Sequence, residues 1–219
     1  MTDFLKLIKS YNYYIFRESF YNINLMLLQS EYELSEFIKI IAKIRPKTVI
    51  EIGTFEGGTT FVFSRFSKNN AHIITIDLPT GGGGIMRGGY SRLKIPFFKL
   101  FASKNQKITL IRKDSHQYST YAKVKKKLKN EKADILFIDG DHSYEGVKKD
   151  FEMYSPLVKK NGIIAFHDIV KTNPKLFPLV KLGFLNVNKF WNEIKENYEY
   201  FEIVEDWNDG LYGIGIIKI

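Results

Sequence analysis

The sequence predicts an α/β fold, a mostly parallel sheet with helices on both faces, and three observations lead to it. Short β-branched apolar runs alternate with segments of helical periodicity from Thr48 to Asp168, the pattern of parallel strands joined by crossover helices. Several of these runs end on an acidic residue or a glycine turn, where an open α/β sheet presents its ligand-binding edge. The last two apolar runs are joined by Asp206-Trp207-Asn208-Asp209-Gly210, too short for a crossover helix, so they pair as an antiparallel hairpin.

In chain order, Leu25, Leu28, Leu34, Phe37, Ile38, Ile41 and Ile44 recur near helical spacing until Pro46 closes the run. Residues 1–45 therefore read as an N-terminal helical extension, and 46–219 as one domain. The first strand is Thr48 to Ile52, ending on Gly53, and a helix follows over Thr60 to Phe66. Further strands are His72 to Asp77, Lys107 to Arg112, Ile135 to Asp139 and Gly162 to His167. Helices fill Leu93 to Phe101, Tyr118 to Leu128, Tyr144 to Val158 and Val187 to Tyr198. The closing hairpin pairs Tyr200–Val204 with Leu211–Ile217. No internal repeat or linker divides the chain.

A chain of 219 residues fills one core better than two, and 44% hydrophobic with 15% aromatic residues suits a globular protein. No apolar stretch is long enough to cross a bilayer, and Met1-Thr2-Asp3-Phe4-Leu5-Lys6 lacks the basic start and apolar core of a secretory signal. Cysteine is absent, which excludes disulfides, thiolate zinc sites and cysteine nucleophiles and makes a cytoplasmic location the expectation. The net charge of +9 raises nucleic acid as a partner. Lys123, Lys125, Lys126, Lys127 and Lys129, however, interrupt an apolar helical period, as do Lys148-Lys149, which reads as solvated helix surface.

The turn after the first strand, Glu51-Ile52-Gly53-Thr54-Phe55-Glu56-Gly57-Gly58-Thr59, carries the most specific local signal. Gly53 can take backbone angles closed to other residues, and Gly57 and Gly58 let the next helix approach a ligand. The spacing is Gly-x-x-x-Gly-Gly, not the Gly-x-Gly-x-x-Gly of dinucleotide binders. Glu51 beside the turn would repel a pyrophosphate but suits a ligand bearing an ammonium and a sulfonium. Asp77 at the second strand end is placed to accept from ribose hydroxyls, and Asp114-Ser115 after the third to meet an adenine edge.

These residues resemble the class I S-adenosylmethionine (SAM)-dependent methyltransferases, in particular those with a catechol O-methyltransferase-like core and their cephalosporin-hydroxylase-like relatives. The resemblance runs through Val49–Thr59, Ile76-Asp77, Phe137-Ile138-Asp139-Gly140-Asp141-His142-Ser143-Tyr144-Glu145-Gly146-Val147 and Gly162–Asp168. It extends to Phe190-Trp191 and Gly210-Leu211-Tyr212-Gly213-Ile214-Gly215, covering about residues 45 to 219. It implies a Rossmann-like seven-stranded sheet with its last strand reversed. It also implies SAM held by Glu51, Gly53, Thr54, Gly57, Gly58, Thr59, Asp77, Asp114 and Ser115, and methyl transfer to a hydroxyl of a small molecule such as a sugar, a natural product or an aromatic acceptor.

Methyl transfer from a sulfonium is an in-line displacement, so the protein has to align a nucleophile and remove its proton. Asp139, Asp141 and His142 follow the fourth strand while His167 and Asp168 end the fifth, and neighbouring strands would bring them into one pocket. Asp139, His142 and His167 are the candidate catalytic residues. In metal-dependent relatives a strand-four aspartate and an acidic or amide pair after strand five bind magnesium. Asp139 matches the first position, and His167-Asp168 stands in place of the pair. Histidine is a poor magnesium ligand, which leaves open a softer divalent ion or a metal-free site with a histidine base. Asp141 and Asp168 could equally cap the turns that follow. His72 and His116 are given no role.

The glycine-rich segment Gly81 to Gly89, with Arg87, reads as a loop able to close over a ligand. Tyr11, Tyr13, Tyr14 and Phe16 could make a homodimer contact. Competing readings are an RNA methyltransferase, suggested by the charge but without a basic–aromatic platform, a SAM-binding protein without turnover, and an oxidoreductase, which the glycine spacing and Glu51 oppose.

Overall fold

The computed structural model describes residues 30–79, 89–103, 105–172, 185–208, 210 and 212–219. Leu25, Leu28, the aromatic residues proposed for a dimer contact, the glycine-rich loop through Gly88 with Arg87, and Leu211 lie outside them.

The elements follow the expected alternation. Helix α1 spans Glu31–Ile44, β1 Thr48–Ile52, α2 Gly58–Phe66, β2 His72–Asp77, α3 Ile95–Leu100 and β3 Lys107–Arg112. Then come α4 Tyr118–Leu128, β4 Ala133–Ile138, α5 Tyr144–Tyr154, β5 Val158–His167, α6 Val187–Ile194, β6 Glu199–Ile203 and β7 Ile214–Lys218. The seven strands are ordered β3-β2-β1-β4-β5-β7-β6, with β7 antiparallel to both its neighbours. The last strand therefore inserts between β5 and β6 instead of lying at the edge. Strand order reverses between β1 and β4, the place where such sheets bind ligands.

Because strand side chains alternate, the sheet sorts its apolar residues into two cores. Val49, Ile73, Ile135, Phe137, Ala165 and Ile216 meet α1, α2 and α3 on one face. Ile50, Ile74, Leu136, Ile164, Phe166 and Ile217 meet α4, α5 and α6 on the other. Helix α1, the described part of the expected extension, lays Leu34, Phe37, Ile38 and Ile41 against the first core, and Ser30 caps its start by accepting the Glu33 N–H at 3.1 Å. The α4 lysines Lys123, Lys125 and Lys126, and Lys129 just past its end, are exposed around the buried Val124 and Leu128, as the apolar period required.

Boundaries differ from expectation where proline and turn geometry intervene. Pro156 cannot donate an amide inside a helix, so α5 ends at Tyr154, a 3₁₀ turn takes Ser155–Leu157, and β5 begins at Val158 instead of Gly162. Pro96 sits in the first turn of α3, leaving Arg92–Lys94 as a separate 3₁₀ turn. Helix α2 starts two residues earlier than its apolar pattern, at Gly58. Among the described residues no helix is long and apolar enough to cross a membrane.

Candidate functional site

The site forms at the carboxyl ends of β1, β2, β4 and β5. At the end of β1, Gly53 has φ +97° and a Cβ there would lie 1.9 Å from the Asp139 carbonyl oxygen. Only glycine allows the β1 and β4 loops to approach so closely. The Gly53 N–H bonds the Ile76 carbonyl and the Asp139 N–H the Ile52 carbonyl, so three strand ends are tied together. Gly57, at φ +84°, precedes α2, whose first turn carries no side-chain cap. Its amide dipoles are thereby open to an anionic group.

Asp77 lies against the same turn, accepting the Phe55 N–H at 2.6 Å and the Leu78 N–H at 2.7 Å. Thr54 bonds Thr75 beneath it, with Thr59 buried alongside. Glu51 is fully buried under the turn rather than open at its surface. Thr60 donates to one of its oxygens, and the other has no hydrogen-bond partner among the described residues. Burial pushes this carboxyl up to about 8 against the lowering effect of the nearby Thr60 and Thr75 hydroxyls, with the charges of Asp139 and Asp77 adding to the rise. Asp114 accepts the His116 N–H at 2.8 Å, and the Ser115 carbonyl accepts the Tyr154 hydroxyl at 2.8 Å, pinning the β3 loop to α5.

Strands β4 and β5 are neighbours, and the structure brings Asp139, His142, His167 and Asp168 together. His142 Nε2 lies 3.4 Å from Asp139 Oδ1, and its Nδ1 lies 3.3 Å from Asp168 Oδ2. His167 Nδ1 is 3.2 Å from Asp139 Oδ1 and 3.2 Å from Asp168 Oδ1. The two histidines thus sandwich the two carboxylates. His142 is on the solvent side at 33% side-chain exposure, and His167 is beneath at 4% with its Nε2 buried and unpartnered among the described residues.

Electrostatics follow from this packing. Burial opposes every charge in the cluster, yet the attraction of the His167 and His142 rings holds Asp139 and Asp168 below the usual carboxylate range. Burial also opposes the His142 cation, but its Asp139 hydrogen bond and both carboxylate charges carry its pKa up to about 9. His167 is raised in the same way against its own burial. The left-handed backbone of Asp168, φ +62°, turns its carboxylate toward the rings.

A metal set of Asp139, His167 and Asp168 was the expectation. The structure adds a second histidine: one ligand atom each from Asp139, His142 and Asp168 lie within 4.8 Å of one another, while His167 Nδ1, 3.2 Å from both carboxylates, approaches them from below. Two carboxylate oxygens and an imidazole nitrogen fit a first-row divalent transition ion, manganese included, better than magnesium, which holds nitrogen donors weakly. Asp141 stands apart from the cluster. It accepts the Ser143 N–H at 2.9 Å in the turn that starts α5, where a Cβ on Gly146 would collide with it.

Two neighbours escaped the sequence reading. Tyr212 tilts its ring toward His167 at 6.1 Å, and its backbone N–H bonds the Asp168 carboxylate. Glu33, on α1, bonds the Gly213 N–H beside it. A carboxylate within the otherwise apolar stripe of α1 was the available signal for Glu33. Tyr212 lies in the Gly210–Gly215 stretch that carries part of the resemblance, but its place beside His167 depends on the insertion of β7 beside β5.

Comparison with known proteins agrees with this architecture. An uncharacterized protein of Acanthamoeba polyphaga mimivirus is 34% identical over 135 residues, 61% of this chain and 57% of that protein. The chain thus spans little more than half the length of that relative. An O-methyltransferase from Bacillus cereus, solved in complex with SAH, superposes with a TM-score of 0.60 at 13% identity, covering 100% of this chain and 90% of the other. An O-methyltransferase from Streptomyces achromogenes involved in tomaymycin synthesis, solved with SAM, gives 0.58 at 12% identity over 99% and 88% of the two chains. At such identities these structures show the shared fold. The model of a family described as a methyltransferase domain matches residues 50–169, the span from β1 to β5 that holds both the glycine turn and the four clustered side chains, and the chain belongs to that family.

Proposed function

We propose that this chain transfers a methyl group from SAM to a hydroxyl of a small molecule, a sugar, natural-product or aromatic acceptor. The observation that carries the reading is the contact of Gly53 with Asp139, which joins the glycine turn to the carboxylate–imidazole cluster in one site. Bound SAM supplies a methyl group made electrophilic by its sulfonium. The uncapped start of α2 suits the carboxylate of its methionine part. Asp77 retains lone pairs beside its two amide bonds and can accept ribose hydroxyls, with Asp114 and Ser115 placed toward the base. Glu51 supports the turn from below instead of touching the ligand.

The acceptor hydroxyl must lose its proton as the new bond forms. His142, the more exposed ring, is the group placed to take it, and His167 holds the carboxylates that orient His142. An imidazole between two carboxylates keeps its own proton at neutral pH, so it serves as a base only when that negative charge is offset. A divalent ion on Asp139, His142 and Asp168 would occupy that ring's lone pair and stand in for the base, polarising the acceptor hydroxyl so that its proton passes to solvent. Asp139 and Asp168 then orient the acceptor, and the buried His167 excludes water from beneath.

Calorimetry with SAM, S-adenosylhomocysteine (SAH) and NAD tests the reading. SAM and SAH are expected to bind; binding of NAD alone would sink it.

A further inference from the structure

Helix α1 reaches the site through a single buried side chain. Glu33 lies among Leu34, Phe37, Ile38 and Ile41 and is 2% exposed. A carboxylate in such a place persists only where donors replace its lost water. Its Oε2 accepts the Gly213 N–H at 3.0 Å and its Oε1 the Glu205 N–H at 3.3 Å. Those amides belong to the two ends of the connection between β6 and β7, so one side chain closes its base from 172 and 180 residues away.

The inner side of that connection touches the clustered groups. The Tyr212 N–H donates to the Asp168 carboxylate, the Tyr212 carbonyl accepts the Val170 N–H at 3.0 Å, and the Gly213 carbonyl accepts the Ile169 N–H at 3.3 Å. The Tyr212 ring covers His167 at 6.1 Å. Tyr212 and Gly213 both have left-handed backbones, φ +66° and +84°. A tyrosine in that region costs about 1 kcal/mol and stays there only when its surroundings hold it. A Cβ on Gly213 would lie 2.8 Å from the Val170 side chain, so glycine is the residue that fits this turn.

We propose that Glu33 is a positioning residue for the site: by holding the Glu205 and Gly213 amides it fixes the left-handed Tyr212–Gly213 turn, which orients the Asp168 carboxylate and covers His167. Helix α1 thereby sets the geometry of the carboxylate pair without touching a ligand. Only the choice of ligands in the test rests on the methyltransferase reading.

The experiment compares wild type with Glu33→Gln, which keeps the volume but turns an NH₂ donor against one of the two amides. Hydrogen exchange at Tyr212 and Gly213, Mn²⁺ affinity and SAH affinity are measured on each. Amide protection at these two residues is expected to drop about tenfold or more while β1 and β4 amides keep theirs. The Mn²⁺ Kd should rise about tenfold, in the range found for groups that orient metal ligands, with the SAH Kd unchanged within about twofold. Glu33→Asp, with both acceptors on a shorter arm, should recover part of the Mn²⁺ affinity, and it decides the matter if Glu33→Gln does not fold. Ile38→Val on the same helix should leave all three readings unchanged. Unaltered protection in Glu33→Gln, lost protection with unaltered Mn²⁺ affinity, or equal losses in Ile38→Val would overturn the proposal. If wild type binds SAH but no Mn²⁺, the metal part of the function falls. Glu33 is then judged by exchange and by a shift of the His167 ring signals in Glu33→Gln, whose absence would count against it.

Discussion

Replacing Glu51 by glutamine removes a carboxyl group that lies fully buried beneath the glycine turn, with Thr60 on one oxygen and no partner among the described residues on the other. The folded chain keeps this proton up to about pH 8, whereas the unfolded chain releases it near 4.5. Between those values the folded state binds more protons, so this group's contribution to stability falls as pH rises and levels off above 8. From pH 5 to pH 7 the linkage amounts to about 2.5 kcal/mol. With a urea dependence of roughly 2 kcal/mol/M, the wild-type midpoint should fall by about 1.2 M relative to Glu51→Gln over that interval. Other titrating groups cancel in this difference, among them His72, which burial and Lys107 lower to about 4. Urea unfolding of both proteins at pH 5 and pH 7 measures it. Parallel pH dependences would refute the argument that Glu51 is held protonated under the turn.

Asp139→Asn and His142→Ala should each lower kcat by about 100-fold or more while the SAM Kd stays within about threefold, and equal losses in both quantities would point to damaged folding instead. Gly53→Ala places a methyl group 1.9 Å from the Asp139 carbonyl oxygen at φ +97°, and should cost about 3 kcal/mol or more of stability, read by thermal or urea unfolding. Removal of divalent ions with a chelator should abolish turnover, and Mn²⁺ should restore it at lower concentration than Mg²⁺, given the imidazole in the donor set. Full activity in chelator would remove the metal from the account.

The local elements were legible because their signals are local. The periodicities of β1, β2, β3 and α4 match the structure residue for residue, since each strand is a short apolar run with a clear punctuating residue. Element ends moved at Pro96 and Pro156, where a missing amide divides a helix that apolar spacing alone runs through. In the site, the sequence placed Asp139, His142, His167 and Asp168 at neighbouring strand ends, but not which ring would lie above the carboxylates. That follows from strand alternation carried to the last residue of β5: His167 continues the face of Ala165 and turns inward, where Phe137 packs near its ring.

The sequence by itself determined the α/β class, the family resemblance and the acid and glycine positions at the strand ends, because these depend on residue type and short spacing. Only the tertiary structure decided that Glu51 is enclosed, that His142 lies on the solvent side of the paired carboxylates with His167 beneath them, and that Glu33 and Tyr212 reach the site. Those facts depend on β7 threading between β5 and β6 and on α1 packing across the sheet, where Glu33 meets Gly213 from 180 positions away, arrangements that no local spacing encodes.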